Sequence, residues 1–189
     1  MDEHLTDTQR DQLLKAARRS IEFGLRQGEP LEIDPDNYCG QLREVRATFV
    51  TLHTRAGDLR GCIGTLEPRR PLVSDVAHNA FSAAFRDPRF PPLTEAQYPD
   101  VSLEVSVLSP PEPIEADTEE ELLRQLRPGV DGLIVEAGSR RATFLPSVWE
   151  SLPQPQEFVA ALKRKAGIVA HTPEPLICLR YTTESFSGD

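Results

Sequence analysis

The chain has 189 residues, enough for one substantial domain or for two small ones that pack closely together. Its 21 lysines and arginines against 30 aspartates and glutamates give a formal net charge of -9, which argues against a nucleic-acid surface because no basic stripe is visible. Cys39, Cys62 and Cys178 form no Cys-x-x-Cys pair, and no secretory signal or membrane-length apolar run is found, so we expect a cytoplasmic protein with free thiols and no membrane partner.

An amphipathic helix is predicted over residues 5–26, where apolar side chains recur at helical spacing. Thr6 can cap its start, and Gln9, three positions later, completes a capping box. Gly28 ends the helix, and the turn-forming residues of segment 30–44 predict a surface loop.

A β-hairpin is predicted next. Residues 45–53 are rich in β-branched and aromatic side chains, residues 55–58 have turn composition, and residues 59–64 form the returning strand. The returning strand has the sequence Leu-Arg-Gly-Cys-Ile-Gly. Two glycines so close together predict a bulge, a tight bend or another group close to the backbone, at the end or edge of the sheet.

Helices and strands then come in mixed order. Pro71 suits the first position of a helix, which the prolines of segment 87–92 end. Residues 101–108 alternate apolar and polar side chains and predict a strand, and the proline-rich segment 110–113 marks an internal boundary.

The rest of the chain continues this mixture, with a short helix over 118–126, a hairpin over 132–145, a helix over 156–166 and a strand over 176–181. Mixed order with hairpins predicts an α+β fold with a mainly antiparallel sheet flanked by helices.

Cys62 is the residue of the hexapeptide with nucleophilic chemistry. In an extended strand Arg60 and Cys62 project to one face, and a guanidinium beside a thiol favours the reactive thiolate. The amides around Gly61 and Gly64 could bind an oxyanion or a carboxylate. The alternative is a buried cysteine that behaves as a small apolar residue, with Arg60 directed to solvent.

The hexapeptide resembles a signature of the AMMECR family, whose bacterial and archaeal branch is called AmmeMemoRadiSam system protein A. Other segments resemble the family in the same order and spacing, over roughly residues 10–181. These segments are Phe49-Val50-Thr51-Leu52, Asn79-Ala80, Asp87-Pro88-Arg89-Phe90, the strand from Ser102 to Leu108, Gly132-Leu133, Leu145-Pro146 and Lys165-Ala166-Gly167.

The resemblance implies a single AMMECR domain over residues 5–189, with closely packed subdomains of approximately 5–110 and 111–189 and a cleft that contains the arginine-glycine-cysteine hairpin. It also implies association with a Memo-like protein and a radical S-adenosylmethionine protein. It implies no particular reaction, and we expect no cofactor and no bound metal.

Glu104 and His53 are the candidate proton carriers. Glu104, on the polar face of its strand, could act as a general base or anchor a substrate amine. Polar strand faces more often carry solvated charges or ion pairs, for Glu104 with Arg60 or Arg89. His53 ends the strand before the hairpin and could serve Cys62 as a base, although a lone histidine is more often solvated.

The segment after the second helix supplies further candidates. Asp87 is expected to accept backbone amides in its turn, and Arg89 either pairs with a carboxylate or binds a substrate anion. Asn79, which we group with the substrate-binding residues, could support the hairpin by side-chain hydrogen bonds without taking part in chemistry.

Two functions remain open from the sequence. In the first, the protein is a component of a modification or biosynthetic pathway, and Cys62 acts as nucleophile or covalent carrier on a small molecule or peptide. In the second, it is a non-catalytic binding or adaptor module whose cleft holds a ligand or a segment of a partner protein. The reactivity of the Cys62 thiol discriminates between them.

Overall fold

The computed structural model describes residues 4–169 and 174–188. The chain forms two compact units: the first runs to Leu108 and resumes at Glu184, and the second comprises Ser109–Thr183. The sequence predicted an internal boundary between residues 110 and 111. In the structure the chain passes from the first unit to the second between Leu108 and Ser109.

The secondary structure is α+β, as predicted. The α-helices within the described residues are α1 (Asp7–Gln27), α2 (Leu72–Phe85), α3 (Glu119–Gln125) and α4 (Pro155–Ala166). The strands there are β1 (Thr48–Thr54), β2 (Leu59–Gly64), β3 (Val101–Leu108), β4 (Glu112–Pro113), β5 (Gly132–Ala137), β6 (Arg140–Phe144), β7 (Ile177–Tyr181) and β8 (Thr183–Gly188).

Helix α1 begins and ends where its sequence predicts. The Thr6 hydroxyl accepts from the Gln9 backbone N–H at 3.3 Å, and the Gln9 side chain accepts from the Thr6 N–H at 2.9 Å, which completes the capping box. Gly28 ends the helix with a φ of 75°, a left-handed conformation that favours glycine. The buried face of α1 includes Leu13 and Ile21 and joins the first core.

The first unit contains a four-stranded sheet in the order β2-β1-β3-β8. Strands β1 and β2 form the predicted hairpin, and β1 also pairs antiparallel with β3. Val50 and Leu52 of β1 are fully buried among the residues of α1 and α2, so one face of the sheet, the helix face, belongs to the core. The intervening residues of β1 lie on the opposite face, which we call the outer face.

Side chains of strand β8 contact helix α1 and strand β3 of the first unit. The Glu184 carboxylate accepts from the Leu5 N–H at 3.1 Å and pairs with the Arg10 guanidinium at 2.8 Å. The Ser106 and Ser185 hydroxyls lie 2.8 Å apart, so β8 is also linked to β3 by side chains.

The second unit contains a sheet in the order β4-β7-β5-β6 with its own core. Trp149 stacks on Phe158 of α4 with ring centroids 3.8 Å apart, and its indole N–H donates to the Asp131 carbonyl at 2.7 Å. Gly167 ends α4 with a φ of 72°, as its position predicts.

Three elements differ from the sequence-based expectation. The first strand of the hairpin was expected from residue 45, but β1 begins at Thr48, and Val45 is exposed and bridged only to Pro71. Strands β4 and β8 were not predicted, because β4 has two residues and β8 has polar side chains with one aromatic, so neither shows an apolar alternation.

Membrane crossing needs a long apolar helix, and none of the helices in the described part of the chain meets that requirement.

Candidate functional site

Cys62 lies on the outer face of the first sheet, in a row with two polar residues. Thr51 of β1 is opposite Cys62 of β2 on one side and opposite Glu104 of β3 on the other. The Cys62 thiol is half-buried, and the Thr51 hydroxyl donates to its sulfur at 3.4 Å. The apolar alternative requires Cys62 to be a buried core residue. Its partial exposure shows that it is not one.

The free edge of β2 is occupied by an ion pair from the segment after α2. The Cys62 N–H donates to Asp87 Oδ2 at 2.9 Å, and Arg89 Nη2 donates to the Cys62 carbonyl at 3.2 Å. Asp87 and Arg89 also pair with each other at 2.7 Å. The pair thus satisfies both backbone groups of Cys62, as a neighbouring strand would.

Electrostatics keep this pair charged. Hydrogen bonding from the Arg89 guanidinium holds the pKa of Asp87 well below its usual range, with a further contribution from the Cys62 N–H, while burial acts in the opposite direction. The Asp87 hydrogen bond in turn raises the pKa of Arg89, and the Cys62 side chain adds to that rise. The guanidinium that is hydrogen-bonded to Cys62 is that of Arg89.

Asp87 also makes the turn contact that its sequence predicts. Its Oδ1 accepts from the Arg89 backbone N–H at 3.1 Å and from Arg89 Nε at 3.0 Å. The carboxylate is 2 % exposed in its side chain, whereas the Arg89 side chain is 53 % exposed. Asp87 is therefore a buried anchor that fixes an accessible cation.

The position of Arg60 differs from the expectation that its side chain projects to the same face of β2 as the Cys62 thiol. The register shifts between Leu52 and His53, and Arg60 has no opposite residue in β1, so the bulge interrupts simple alternation. The Arg60 guanidinium donates to the carbonyl of Pro91 at 2.8 Å and to the Gln97 side chain at 3.3 Å. Arg60 is 8 % exposed, so it is not directed to solvent either.

The two glycines of the hexapeptide allow close approach, as predicted. A Cβ on Gly61 would lie 2.2 Å from the Ala83 carbonyl oxygen of α2, and one on Gly64 would lie 2.4 Å from the Thr48 carbonyl oxygen. Since the Cys62 N–H points away from β1, alternation directs the Gly61 N–H toward β1 and the Gly64 N–H toward the free edge. Of the two proposed anion-binding amides, the Gly64 N–H is the one on the accessible side.

Glu104 and His53 share the outer face with Cys62. Glu104 is two strands away, about 10 Å between Cα atoms, and Thr51 lies between them. Among the described residues Glu104 makes no ion pair, so of the two structural alternatives the pairing with Arg60 or Arg89 is not found and the solvated charge remains. His53 is two residues along β1 from Thr51, opposite Ser102. The face therefore carries both groups without placing either in hydrogen-bond contact with the Cys62 sulfur.

Asn79 lies on the helix face, away from Cys62. It is 1 % exposed, and its Nδ2 donates to the Thr48 carbonyl at 3.1 Å, the Thr48 hydroxyl at 2.9 Å and Asp75 at 3.0 Å. Burial raises the pKa of Asp75. The structure thus shows the Asn79 amide supporting the start of β1, and its grouping with the substrate-binding residues stays a prediction.

Thr51 was missed by the sequence analysis as a site residue, and Asp87 was not expected to reach Cys62. Within the described part of the chain, no group of three or more histidine, cysteine, aspartate or glutamate side chains could hold a metal ion. The arrangement offers a thiol, a fixed guanidinium and a hydroxyl, which together can stabilise negative charge on sulfur.

Comparison with known proteins identifies relatives over nearly the whole chain. A family model described as AMMECR1 matches residues 14–186. A protein of Methanothermobacter thermautotrophicus is 43 % identical over 161 residues, which cover 82 % of this chain and 81 % of that protein. A protein of Thermotoga maritima is 40 % identical over 157 residues, which cover 82 % of this chain and 86 % of the relative.

The fold also matches a solved structure. The crystal structure of the uncharacterized protein PH0010 from Pyrococcus horikoshii superimposes with a TM-score of 0.80 at 37 % identity. The match covers 94 % of this chain and 90 % of that chain.

Proposed function

The chain belongs to the AMMECR1 family, and on that basis we propose that it is a component of a modification or biosynthetic pathway in which Cys62 is the reactive group. Its partners in that pathway are a Memo-like protein and a radical S-adenosylmethionine protein, as the resemblance implies. The observation that carries the proposal is the half-buried thiol beside an arginine that Asp87 fixes in place.

The chemistry follows from the groups around the sulfur. After the thiol proton leaves to solvent, the thiolate forms a carbon–sulfur bond with an electrophilic carbon of a small molecule or peptide, and the leaving group departs with its bonding electrons. Arg89 holds a positive charge against Cys62, and the Thr51 hydroxyl donates to the sulfur. Glu104 and His53, on the same face, handle protons of the bound substrate.

Asp87 has a positioning role in this proposal. It accepts from the Cys62 N–H and holds Arg89 through its carboxylate, so it orients both the strand and the cation. The Gly64 N–H, on the free edge, is the amide best placed to bind an oxyanion of the substrate.

A second function is favoured by one observation. Within the described residues, no histidine or carboxylate side chain is hydrogen-bonded to the Cys62 sulfur, and its side-chain hydrogen bond comes from Thr51. A binding or adaptor module needs no such base. In that case the outer face of the first sheet holds a ligand or a segment of a partner protein.

Alkylation of Cys62 by iodoacetamide at neutral pH separates the two functions. In a Cys39→Ser, Cys178→Ser background we expect Arg89→Gln to slow alkylation about tenfold, because the reacting sulfur loses the neighbouring cation that Asp87 holds. The matched control is Arg127→Gln, which removes the corresponding arginine from an Asp–Arg pair of the second unit and should leave the rate unchanged.

An equal rate in the Arg89→Gln variant and its parent would overturn the reactive role of Cys62 and support the binding module. A Cys39→Ser protein that keeps Cys178 gives a separate reference for an unreactive thiol, because burial raises the pKa of Cys178 to about 11 and its labelling should require unfolding. The partnership is tested separately by coexpression with the Memo-like and radical S-adenosylmethionine proteins, with coelution as the expected result.

A further inference from the structure

Arg60 is a cation that the fold buries without a carboxylate. Its side chain donates through Nη2 to the Pro91 carbonyl and to Gln97 Oε1, both neutral acceptors. No aspartate or glutamate of residues 4–169 and 174–188 pairs with it, although Arg60 is 8 % exposed. Because a guanidinium stays charged in proteins, this charge is left without a counter-ion.

The second terminal nitrogen of Arg60 is also unused. Nη1 is buried and has no hydrogen-bond partner among the described residues. Buried charged groups are normally paired and fully hydrogen-bonded, since leaving them unpaired is costly. Arg89 and Arg127 are about half exposed, and each pairs with an aspartate. Arg60 is more deeply buried than either, yet it has no carboxylate partner among the described residues.

Gln97 occupies the position where an anion would sit. Its Oε1 accepts from Arg60 at 3.3 Å and from the Thr94 N–H at 3.2 Å, so one oxygen serves two donors at long distances. Gln97 is exposed, and a carboxamide has the same planar shape and size as a carboxylate. A carboxylate in the place of the Gln97 carboxamide keeps the contact with Nη2 and brings a second, charged oxygen, which is what a carboxylate offers to the two terminal nitrogens of an arginine.

The Arg60 guanidinium is also connected to the surroundings of Cys62. The Phe90 ring lies 5.9 Å from Arg60 Cζ and 5.5 Å from Arg89 Cζ, measured to the ring centroid. Arg60 and Cys62 are two residues apart on β2, about 7 Å along the strand. A ligand held at Arg60 reaches the thiol when its second group spans the gap between these two side chains.

We infer that Arg60 is the receptor for a carboxylate of the small molecule on which Cys62 acts, and that this carboxylate displaces the Gln97 side chain and binds the Nη1 and Nη2 groups together. The assignment of the ligand as a substrate rests on the proposed function; the anion site itself does not. A planar carboxylate, rather than a larger tetrahedral phosphate, is the group that the Gln97 carboxamide imitates.

The first test is an NMR titration of the arginine side chains of the whole chain labelled with nitrogen-15. The Arg60 Nε–H signal is assigned by its loss in Arg60→Lys. We expect it to shift saturably with sodium acetate and not with sodium chloride of equal ionic strength. An equal response to chloride, or no response to acetate, overturns the site. A stronger response to phosphate than to acetate overturns the carboxylate assignment.

The second test does not depend on whether the Arg60 variant folds. Gln97→Glu supplies the carboxylate within the chain, so we expect its melting temperature to exceed that of the native protein by about 2–4 °C and its Arg60 signal to ignore acetate. Gln97→Ala is the matched control and should retain the response to acetate. A Gln97→Glu protein no more stable than Gln97→Ala, or one that still responds to acetate, contradicts the inference.

The two proposals can fail separately. Neither the titration nor the melting temperature involves the Cys62 thiol, so an inert Cys62 would remove the proposed reaction and leave the carboxylate site standing. An unresponsive Arg60 together with a slowed Arg89→Gln alkylation would remove the site and leave the reaction standing.

Discussion

The two units carry nearly the same ion pair in different settings. Asp87 and Arg89 approach to 2.7 Å in the first unit, and Asp131 and Arg127 to 2.6 Å in the second. Both aspartate side chains are buried, and both arginine side chains are about half exposed, at 53 % and 55 %. By distance and burial alone the pairs are equivalent.

The third contact separates them. The Asp131 carboxylate accepts its hydrogen bonds from Arg127, through the backbone N–H at 2.9 Å and the guanidinium, so this pair closes a local turn. The Asp87 carboxylate also accepts from Cys62, a residue 25 positions earlier in the chain. The two buried ion pairs are therefore distinguished by whether the aspartate also binds a residue outside its own turn. Asp87 does so at Cys62, and this contact connects it to the candidate site.

The largest expected effect tests the equivalence of the pairs in stability. Asp87→Ala and Asp131→Ala should each lower the free energy of unfolding by about 2–3 kcal/mol, because each leaves backbone N–H and guanidinium donors without a charged acceptor. Urea denaturation measures this, with circular dichroism for both variants. Fluorescence of Trp149, the lone tryptophan, reports on the second unit. A loss confined to one variant breaks the equivalence.

The pH dependence of stability gives a second test. The pKa of Asp87 is lowered by folding, so its ionised form stabilises the protein above the unfolded value near pH 3.9, and this stabilisation is lost as the pH falls toward the folded value. The stability advantage of the native protein over Asp87→Asn should therefore narrow below about pH 4, by at most about 1.4 kcal/mol for each pH unit. Chemical denaturation of both proteins from about pH 6 to about pH 2 measures it, and a constant gap contradicts the account.

A smaller effect separates charge from geometry at Arg89. Arg89→Lys keeps the cation but loses the fork that reaches both Asp87 and the Cys62 carbonyl. We expect alkylation of Cys62 to slow about threefold, less than in Arg89→Gln, because most of the field at the sulfur remains. The same replacement at Arg127 should not alter the rate. A threefold change in both variants would show that the effect comes from general loosening.

The smallest effect concerns the hydroxyl on the sulfur. Thr51→Val removes the hydrogen bond to Cys62 at nearly constant shape, and we expect alkylation to slow about twofold because a neutral donor to a half-buried sulfur contributes little. Thr143→Val, which removes a 2.9 Å hydrogen bond to the Leu133 carbonyl in the second unit, is the control. A faster reaction in Thr51→Val would mean that the hydroxyl shields the sulfur.

The local elements and the partner of Cys62 in the hairpin are predictable from sequence. Caps and glycines fix α1 and α4, and the turn at residues 55–58 sets the register in which residue 51 faces residue 62. Counting outward from a turn over residues 55–58 pairs residue 51 with residue 62, so Thr51 could have been found in this way, although the same count pairs His53 with Arg60, which the bulge prevents.

The contacts that complete the site were not predictable, because they join distant segments. Asp87 was correctly assigned to its turn, but its second lone pair is used 25 residues away, and sequence spacing carries no information about that contact. Arg60 was placed beside Cys62 by strand alternation, which the bulge at this position interrupts. Strand β8 has a polar sequence, so its pairing depends on the sheet that it joins.

The return of the chain to the first unit at Glu184 has a consequence for biosynthesis. The ribosome completes β1, β2 and β3 long before it reaches β8, so the first sheet must wait with an open edge at β3 while residues 109–183 are translated. The contiguous second unit can fold during this interval. Once residues 183–188 have been translated, β8 can pair with β3 and Glu184 can contact Leu5 and Arg10, which completes the sheet that carries Cys62.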